Sequence, residues 1–279
     1  MSREGASSEA QVRRDYYDVQ GRWDTPILHM GGLAATGKLL EMVQVDGNMF
    51  LLDVGCGTGY NACSIAKEYG CRVVGIDYSE EMIAKAKRRA LRQKLEDKAE
   101  FHVASVFALP FDDGTFDVAI FESFLNVLVG DKREALEEIA RIVKRGGRVG
   151  GNEVFRSEAT PPDILKRIRE LLESPYGPGQ NLGQDTPNDW VKLFEDVDLK
   201  VVELIESPST RSPVSPKDLY RAMGLYGFVK FSFRATYDIL TLSDLRKISS
   251  RSYPVRKMMH RDRETRKYFG YLLIVGQKT

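Results

Sequence analysis

Short apolar runs alternate with amphipathic stretches along most of this chain. Residues 50–54, Phe-Leu-Leu-Asp-Val, form an apolar run bounded by turn residues, the pattern of a strand buried on both faces. Helical spacing follows over 60–69, with Gly70 placed to cap it. A second apolar run, 71–77, leads to Ser79, an N-cap residue, with Glu80 and Glu81 in the first turn behind it. Further strands are predicted at 99–104, 116–121, 148–155, 199–206 and 268–277. Helices are predicted at 33–43, 131–143, 163–173 and 187–197. Strand and helix in alternation predict an α/β fold, a mainly parallel sheet with helices on both faces.

Three stretches exceed that frame. Residues 1–49 begin polar, carry Tyr16, Tyr17 and Trp23 on a helical stretch, break at Pro26, and predict N-terminal lid helices. Residues 156–186 add a short helix and a loop rich in proline and glycine. Residues 207–267 separate the last two strands, open on Pro208, Pro213 and Pro216, and continue with helical patterns. They predict a helical cap, since both ends must return to adjacent strands. The expected domains are 1–49, a core at 50–206, the cap at 207–267, and a final core strand at 268–279.

The turn after the first strand holds the chemistry. Asp53, Gly55, Gly57 and Gly59 stand in the order D-x-G-x-G-x-G, and a strand turning into a helix on glycines exposes backbone N–H groups to a ligand. A dinucleotide-binding turn needs glycine at the sixth position, which is Tyr60 here, and a phosphate-binding P-loop needs Gly-Lys-Ser/Thr. Neither fits. Asp77 ends the second strand, where an acid can accept from both ribose hydroxyls of an adenosine, and Tyr78 beside it can stack on the base.

This D-x-G-x-G-x-G turn resembles motif I of the class I S-adenosylmethionine (SAM) dependent methyltransferases. Gly-Ile-Asp-Tyr-Ser-x-x-Met at 75–82 resembles the family's second motif, and Lys144-Arg145-Gly146-Gly147 resembles its K-P-G-G turn. The resemblance covers residues 50–155 with every element in order and implies a Rossmann-like, seven-stranded sheet that binds SAM. It assigns Asp53, Gly55, Cys56, Gly57, Gly59, Asp77, Tyr78, Met82, Ser105, Val106 and Glu122 to the cofactor. Ser105 stands where the family usually has an aspartate facing the adenine amino group; a serine can accept that hydrogen bond without charge assistance. The stretch His29-Met30-Gly31-Gly32 is similar to one that precedes motif I in quinone, sterol and tocopherol methyltransferases.

A methyltransferase must align a nucleophile with the S–CH₃ bond and exclude water, and a weak nucleophile also needs a base. Glu122 and Glu153 fall at the carboxyl ends of adjacent predicted strands, and His29 lies on the lid; these three are the candidate catalytic residues. Tyr16, Tyr17, Asn126, Asn152, Tyr226 and Phe231 are the candidate substrate contacts. No metal pattern is evident. Carbon, nitrogen and oxygen acceptors all fit the motif set, so the expected activity is SAM-dependent methyl transfer to a small molecule. The competing classes are a SAM-binding module or partner subunit without turnover, and a lipid or quinone methyltransferase working at a membrane surface.

Charge adds one feature. The chain is nearly neutral at +1, which argues against wholesale nucleic-acid binding. Yet residues 211–267 hold 14 Lys/Arg against 5 Asp/Glu, a net +9, leaving the rest at about −8. An anionic substrate, peripheral membrane contact and pairing with the acidic core are all consistent with that split. Cys56, Cys63 and Cys71 have no paired spacing, and no stretch is apolar over the ~20 residues of a membrane helix. A cytoplasmic protein, free to oligomerise, is the expectation.

Overall fold

The computed structural model describes residues 20–26, 29–172, 184–208, 216–242 and 257–279. Tyr16 and Tyr17 lie outside the described residues. Seven strands form one sheet: β1 (Phe50–Val54), β2 (Arg72–Asp77), β3 (Ala99–Val103), β4 (Phe116–Glu122), β5 (Val143–Arg156), β6 (Leu199–Ser207) and β7 (Phe269–Lys278). Their order is β3-β2-β1-β4-β5-β7-β6. The neighbours from β3 to β5 pair in parallel, and β7 runs antiparallel to both β5 and β6. The order reverses at β1, which pairs with β2 on one side and β4 on the other. An open sheet leaves its ligand crevice at such a point, beyond the carboxyl ends of the strands.

Alternation along β1 divides the core. Leu52 and Val54 face one layer with Phe121, Ile139, Trp190 and Phe194; Leu51 faces the other with Leu39, Val43, Ile65 and Phe101. The covering helices are α1 (Gly32–Met42), α2 (Tyr60–Tyr69), α3 (Glu80–Gln93), α4 (Lys132–Ile142), α5 (Pro162–Leu172) and α6 (Pro187–Glu195). Three of the starts, those of α3, α4 and α6, follow local capping chemistry. The Ser79 hydroxyl accepts from Met82 N at 3.2 Å, the Asp131 carboxylate accepts from Arg133 N at 2.7 Å, and Thr186 with Asp189 forms a reciprocal box.

One boundary differs from the pattern. The Lys144–Gly147 segment, expected as the turn closing α4, is the first stretch of β5, with Val143 opposite Phe116. A Cβ on Gly147 would stand 2.6 Å from the carbonyl oxygen of Asp117, so glycine lets the strand start without a separate loop.

The long insertion leaves from β6 and returns to β7 at the carboxyl edge of the parallel strands, where Ser207 is opposite Tyr271. It contains α7 (Pro216–Thr241), broken at Gly224 by φ 68° and ψ 176°. No side chain of α7 is buried. The far end is docked: Met258 and Met259 pack with Met30, Val154, Ile168 and Phe269. Among the described residues no helix is long and apolar enough to cross a membrane.

Candidate active site

Three glycines turn β1 into α2, all at positive φ, and each answers a different constraint. A Cβ on Gly59 would lie 2.7 Å from the Ala86 methyl, so this position permits α2 to pack on α3. A Cβ on Gly55 would lie 2.6 Å from the Phe124 ring. A Cβ on Gly57 would meet only Met82 Sδ, at 4.0 Å, and would otherwise project into open space. That space is a cavity of about 280 Å³ at the carboxyl ends of β1, β2 and β4. Gly55, Gly57, Asp77, Tyr78, Met82, Ser105, Val106 and Glu122 line it, together with an apolar wall of Phe107, Phe124, Val127, Leu128 and Val129.

Asp77 is clamped to the loop it faces. Its Oδ2 accepts from Gly57 N at 3.0 Å and its Oδ1 from Ser79 N at 2.9 Å. The Ser105 hydroxyl accepts from Phe107 N at 3.3 Å, which tightens the turn after β3.

Glu122 is the centre of a knot of side chains. Thr36 Oγ1 donates to its Oε1 at 2.9 Å, Asn61 Nδ2 donates to Oε1 at 2.8 Å, and Asn152 Nδ2 donates to Oε2 at 2.9 Å. His29 Nδ1 lies 3.2 Å from Oε2. These groups come from α1, α2, β5 and the segment before α1, so four parts of the chain hold one carboxylate. His29 and Asn152 are buried behind it and line no part of the cavity.

Glu153 points the other way. Its Oε1 accepts from Phe124 N at 2.8 Å and Leu125 N at 2.7 Å, and its Oε2 accepts from Asn126 Nδ2 at 2.8 Å. It is fully buried, and burial pushes its carboxyl up to about 7 against the pull of those donors. Glu153 and Asn126 therefore brace the loop after β4 from beneath.

Comparison with known proteins bears on both the domain and the fold. Residues 51–147 match the family model described as "Methyltransferase domain". An O-methyltransferase, rstn1, from Aspergillus nomiae is 29% identical over 196 residues, 68% of this chain and 83% of that protein. Geranyl diphosphate C-methyltransferase from Streptomyces coelicolor, solved with S-adenosyl-L-homocysteine, superposes with TM-score 0.59 at 19% identity, over 88% of this chain and 77% of that one. The [4+2]-cyclase SpnF superposes with TM-score 0.70 at 20% identity, over 95% of this chain and 94% of that one, a likeness of fold.

Residues 51–147 thus form a methyltransferase domain of the class I, SAM-dependent kind. The methyltransferase's own residues fit that cofactor, a cation that also carries an adenosine. Asp53 is buried, and its Oδ2 has no hydrogen-bond partner. Burial and the nearby carboxylates of Glu122 and Asp77 push its pKa from 3.8 up to about 8. Three carboxylates crowd one loop, and a positive ligand would relieve their repulsion. Gly57 leaves room for such a ligand against the backbone.

Several expected residues stand elsewhere. The Cys56 side chain faces the core, and a Cβ on Gly75 would lie 2.9 Å from its Sγ, so only the backbone of Cys56 borders the loop. Gly59 serves helix packing. Glu153 and Asn126, expected near the acceptor, hold backbone, because their side chains lie on the face of β5 and the loop turned from the cavity. Tyr226, on α7, is 81% exposed, and Phe231 meets Trp23 edge-on at 6.2 Å. No described residue of 207–267 lines the cavity. Sequence reasoning missed Thr36 and Asn61, whose contacts with Glu122 span 86 and 61 residues. Ser123, just past β4, lines the cavity with a positive φ of 50°. Non-glycine backbone of that kind is a signal in the structure, not in the sequence.

Proposed function

We propose that this methyltransferase alkylates a hydroxyl oxygen of an apolar, ring-bearing small molecule. The observation that carries the reading is the make-up of the cavity, where the carboxylates of Asp77 and Glu122 share the lining with Phe107, Phe124 and Val127 to Val129. Such a lining suits a ligand with a charged, polyhydroxylated part and a partner that is mostly hydrocarbon. The choice of oxygen is supported by relatives whose names specify O-methyl transfer, rstn1 among them.

When bound, SAM supplies a methyl carbon made electrophilic by its sulfonium sulfur. This chain's residues would do the rest. Asp77 accepts from ribose hydroxyls, while Tyr78, Met82, Ser105 and Val106 surround the base. The backbone of Gly55 and Gly57 allows close approach, and Asp53 balances positive charge. Glu122, fixed by Thr36, Asn61 and Asn152, accepts the hydrogen of the acceptor hydroxyl, with His29 adjacent to share the proton. The core at 50–206 with 268–279 provides the cofactor side. The segment at 1–49 and the insertion at 207–267 flank that core, and both ends of the insertion attach at the carboxyl edge of the sheet.

We also place the protein in the cytoplasm. All three cysteines are free and buried, as suits a reducing compartment. The test of function is incubation with labelled SAM and a panel of phenols, aliphatic alcohols, amines and prenyl diphosphates, with products identified by mass spectrometry. Methyl ethers of phenols are the expected products. Methylation at nitrogen or carbon, or none across the panel, overturns the proposal.

A further inference from the structure

The described surface carries one apolar stripe that the methyl-transfer chemistry does not use. On α7 beyond its break at Gly224, Tyr226, Val229, Phe233 and Tyr237 follow one another at spacings of three, four and four, which places them along one helical face. Their exposures are 81%, 58%, 75% and 58%. Large apolar groups in a row, mostly open to water, mark a binding surface more often than a random scatter does.

The opposite face of the helix is occupied. Phe231 meets the Trp23 ring edge-on, and Asp238 Oδ2 accepts from Trp23 Nε1 at 2.8 Å. Trp23 belongs to the segment at 20–26, which is tied to the glycine loop and to α3. Asp24 there binds Arg89 at 2.7 Å, and Thr25 O accepts from the Thr58 hydroxyl at 3.0 Å. The inward contact therefore sets the roll of α7 and turns the stripe outward.

Charge identifies what the stripe meets. From Gly224 to Leu242 the helix has one acid, Asp238, and it is turned toward Trp23. Lys230 and Arg234 flank the stripe and are exposed. The insertion around them carries the net +9 noted above. Tyrosine and phenylalanine beside lysine and arginine are the residues that favour the boundary between lipid headgroups and acyl chains. The helix is short of the apolar length needed to span a bilayer, so it would lie in the interface plane.

We propose that this face of α7 seats the protein on an anionic phospholipid surface, with Phe233 and its neighbours in the headgroup boundary and Lys230 and Arg234 against phosphates. The proposal stands apart from the choice of methyl acceptor, because its readout is vesicle binding.

The experiment is co-sedimentation of the full chain with vesicles of phosphatidylglycerol and phosphatidylcholine, against vesicles of phosphatidylcholine alone. Binding is expected only to the anionic vesicles and should weaken as salt rises. Phe233→Glu should reduce it by about tenfold or more, and Lys230→Glu with Arg234→Glu should do the same. Both variants should keep the wild-type Trp23 fluorescence and SAM affinity, which shows that the helix is still docked. The proposal fails if the protein ignores anionic vesicles, if it binds both vesicle types equally, or if the variants bind like wild type. It fails equally if light scattering shows a dimer that Phe233→Glu splits, since the stripe would then belong to a second copy of this chain. Should Phe233→Glu lose its fold, the charge-reversal variant decides alone.

Discussion

Glu122 and Asn152 are register partners on β4 and β5, and the Asn152 amide donates to Glu122 Oε2 at 2.9 Å. The side chain on one strand thus fixes a carboxylate on the next, at the edge where the cavity opens. Asn152 also donates to the carbonyl of Met30 at 2.9 Å, which ties the segment before α1 to the same point. That segment and two strands of the sheet meet through one buried amide.

Glu122→Gln tests what that carboxylate does. The replacement keeps the shape but offers an NH₂ to a site already built from donors. If Glu122 accepts the acceptor's hydrogen, kcat should fall about 100-fold, roughly 2.7 kcal/mol, beyond the ~1–3 kcal/mol of stability lost where the NH₂ faces a donor. Steady-state kinetics alongside thermal unfolding will show it. A large loss of stability with kcat intact would reassign Glu122 to structure.

The glycine loop yields a contrast within one motif. Gly57→Ala points a methyl into the cavity and should weaken SAM binding about tenfold or more by calorimetry, with roughly 1 kcal/mol of stability lost to its positive φ. Gly59→Ala drives a methyl to within 2.7 Å of Ala86. It should cost about 2–4 kcal/mol of stability, read as a lower denaturation midpoint, through overpacking and backbone strain. If both variants behave alike, the two glycines do not divide the work.

How far the chain's own pattern led is visible in these same residues. The order of strands and helices, the caps at Ser79 and Asp131, and the placing of Asp77 at a strand end follow from local periodicity and local chemistry. Glu122 was legible because it ends an apolar run. Its donors were not, since Thr36 and Asn61 reach it only once α1 and α2 are packed. Glu153 misled for a plain reason: it adjoins Asn152, and neighbours on a strand point to opposite faces. Being near the end of a strand does not say which face a side chain takes. The D-x-G-x-G-x-G spacing likewise cannot tell the glycine that admits a ligand from the one that admits a helix. The reach of the 207–267 insertion was a topological inference. Its attachment edge followed from strand order, whereas the exposure of Tyr226 depends on how α7 is rolled against Trp23.

Asp53 should give the protein a distinctive pH response. Its pKa is 3.8 when exposed and is pushed up to about 8 in the fold. Between those values the unfolded chain has the ionised form and the folded chain the protonated form. The folded state binds the extra proton, so the stability this group contributes is fully present below the unfolded value and is lost as pH rises through about 8. A cationic ligand favours the ionised form, so SAM affinity should rise over the same window and binding should release a proton. Calorimetry in buffers of different ionisation enthalpy measures that proton. Asp53→Asn should flatten the pH dependence of both stability and affinity; an unchanged profile would mean that another group titrates.

Glu153 makes the last case, because its expected failure is structural and not chemical. Two backbone N–H groups and the Asn126 amide point at its oxygens within 2.8 Å, and no water reaches them. Glu153→Ala would leave those donors buried without partners, at a cost of about 3 kcal/mol or more. Glu153→Gln keeps one oxygen but turns an NH₂ toward at least one donor, so it should recover only part of the loss. The loop after β4 carries Ser123, Phe124 and Val127 into the cavity, so its loosening should raise KM for the acceptor before it lowers the rate of transfer. Denaturant unfolding and steady-state kinetics on the two variants separate the readings. Full stability with a collapse of kcat would return Glu153 to the list of catalytic residues, and the reverse pattern keeps it as the brace beneath the site.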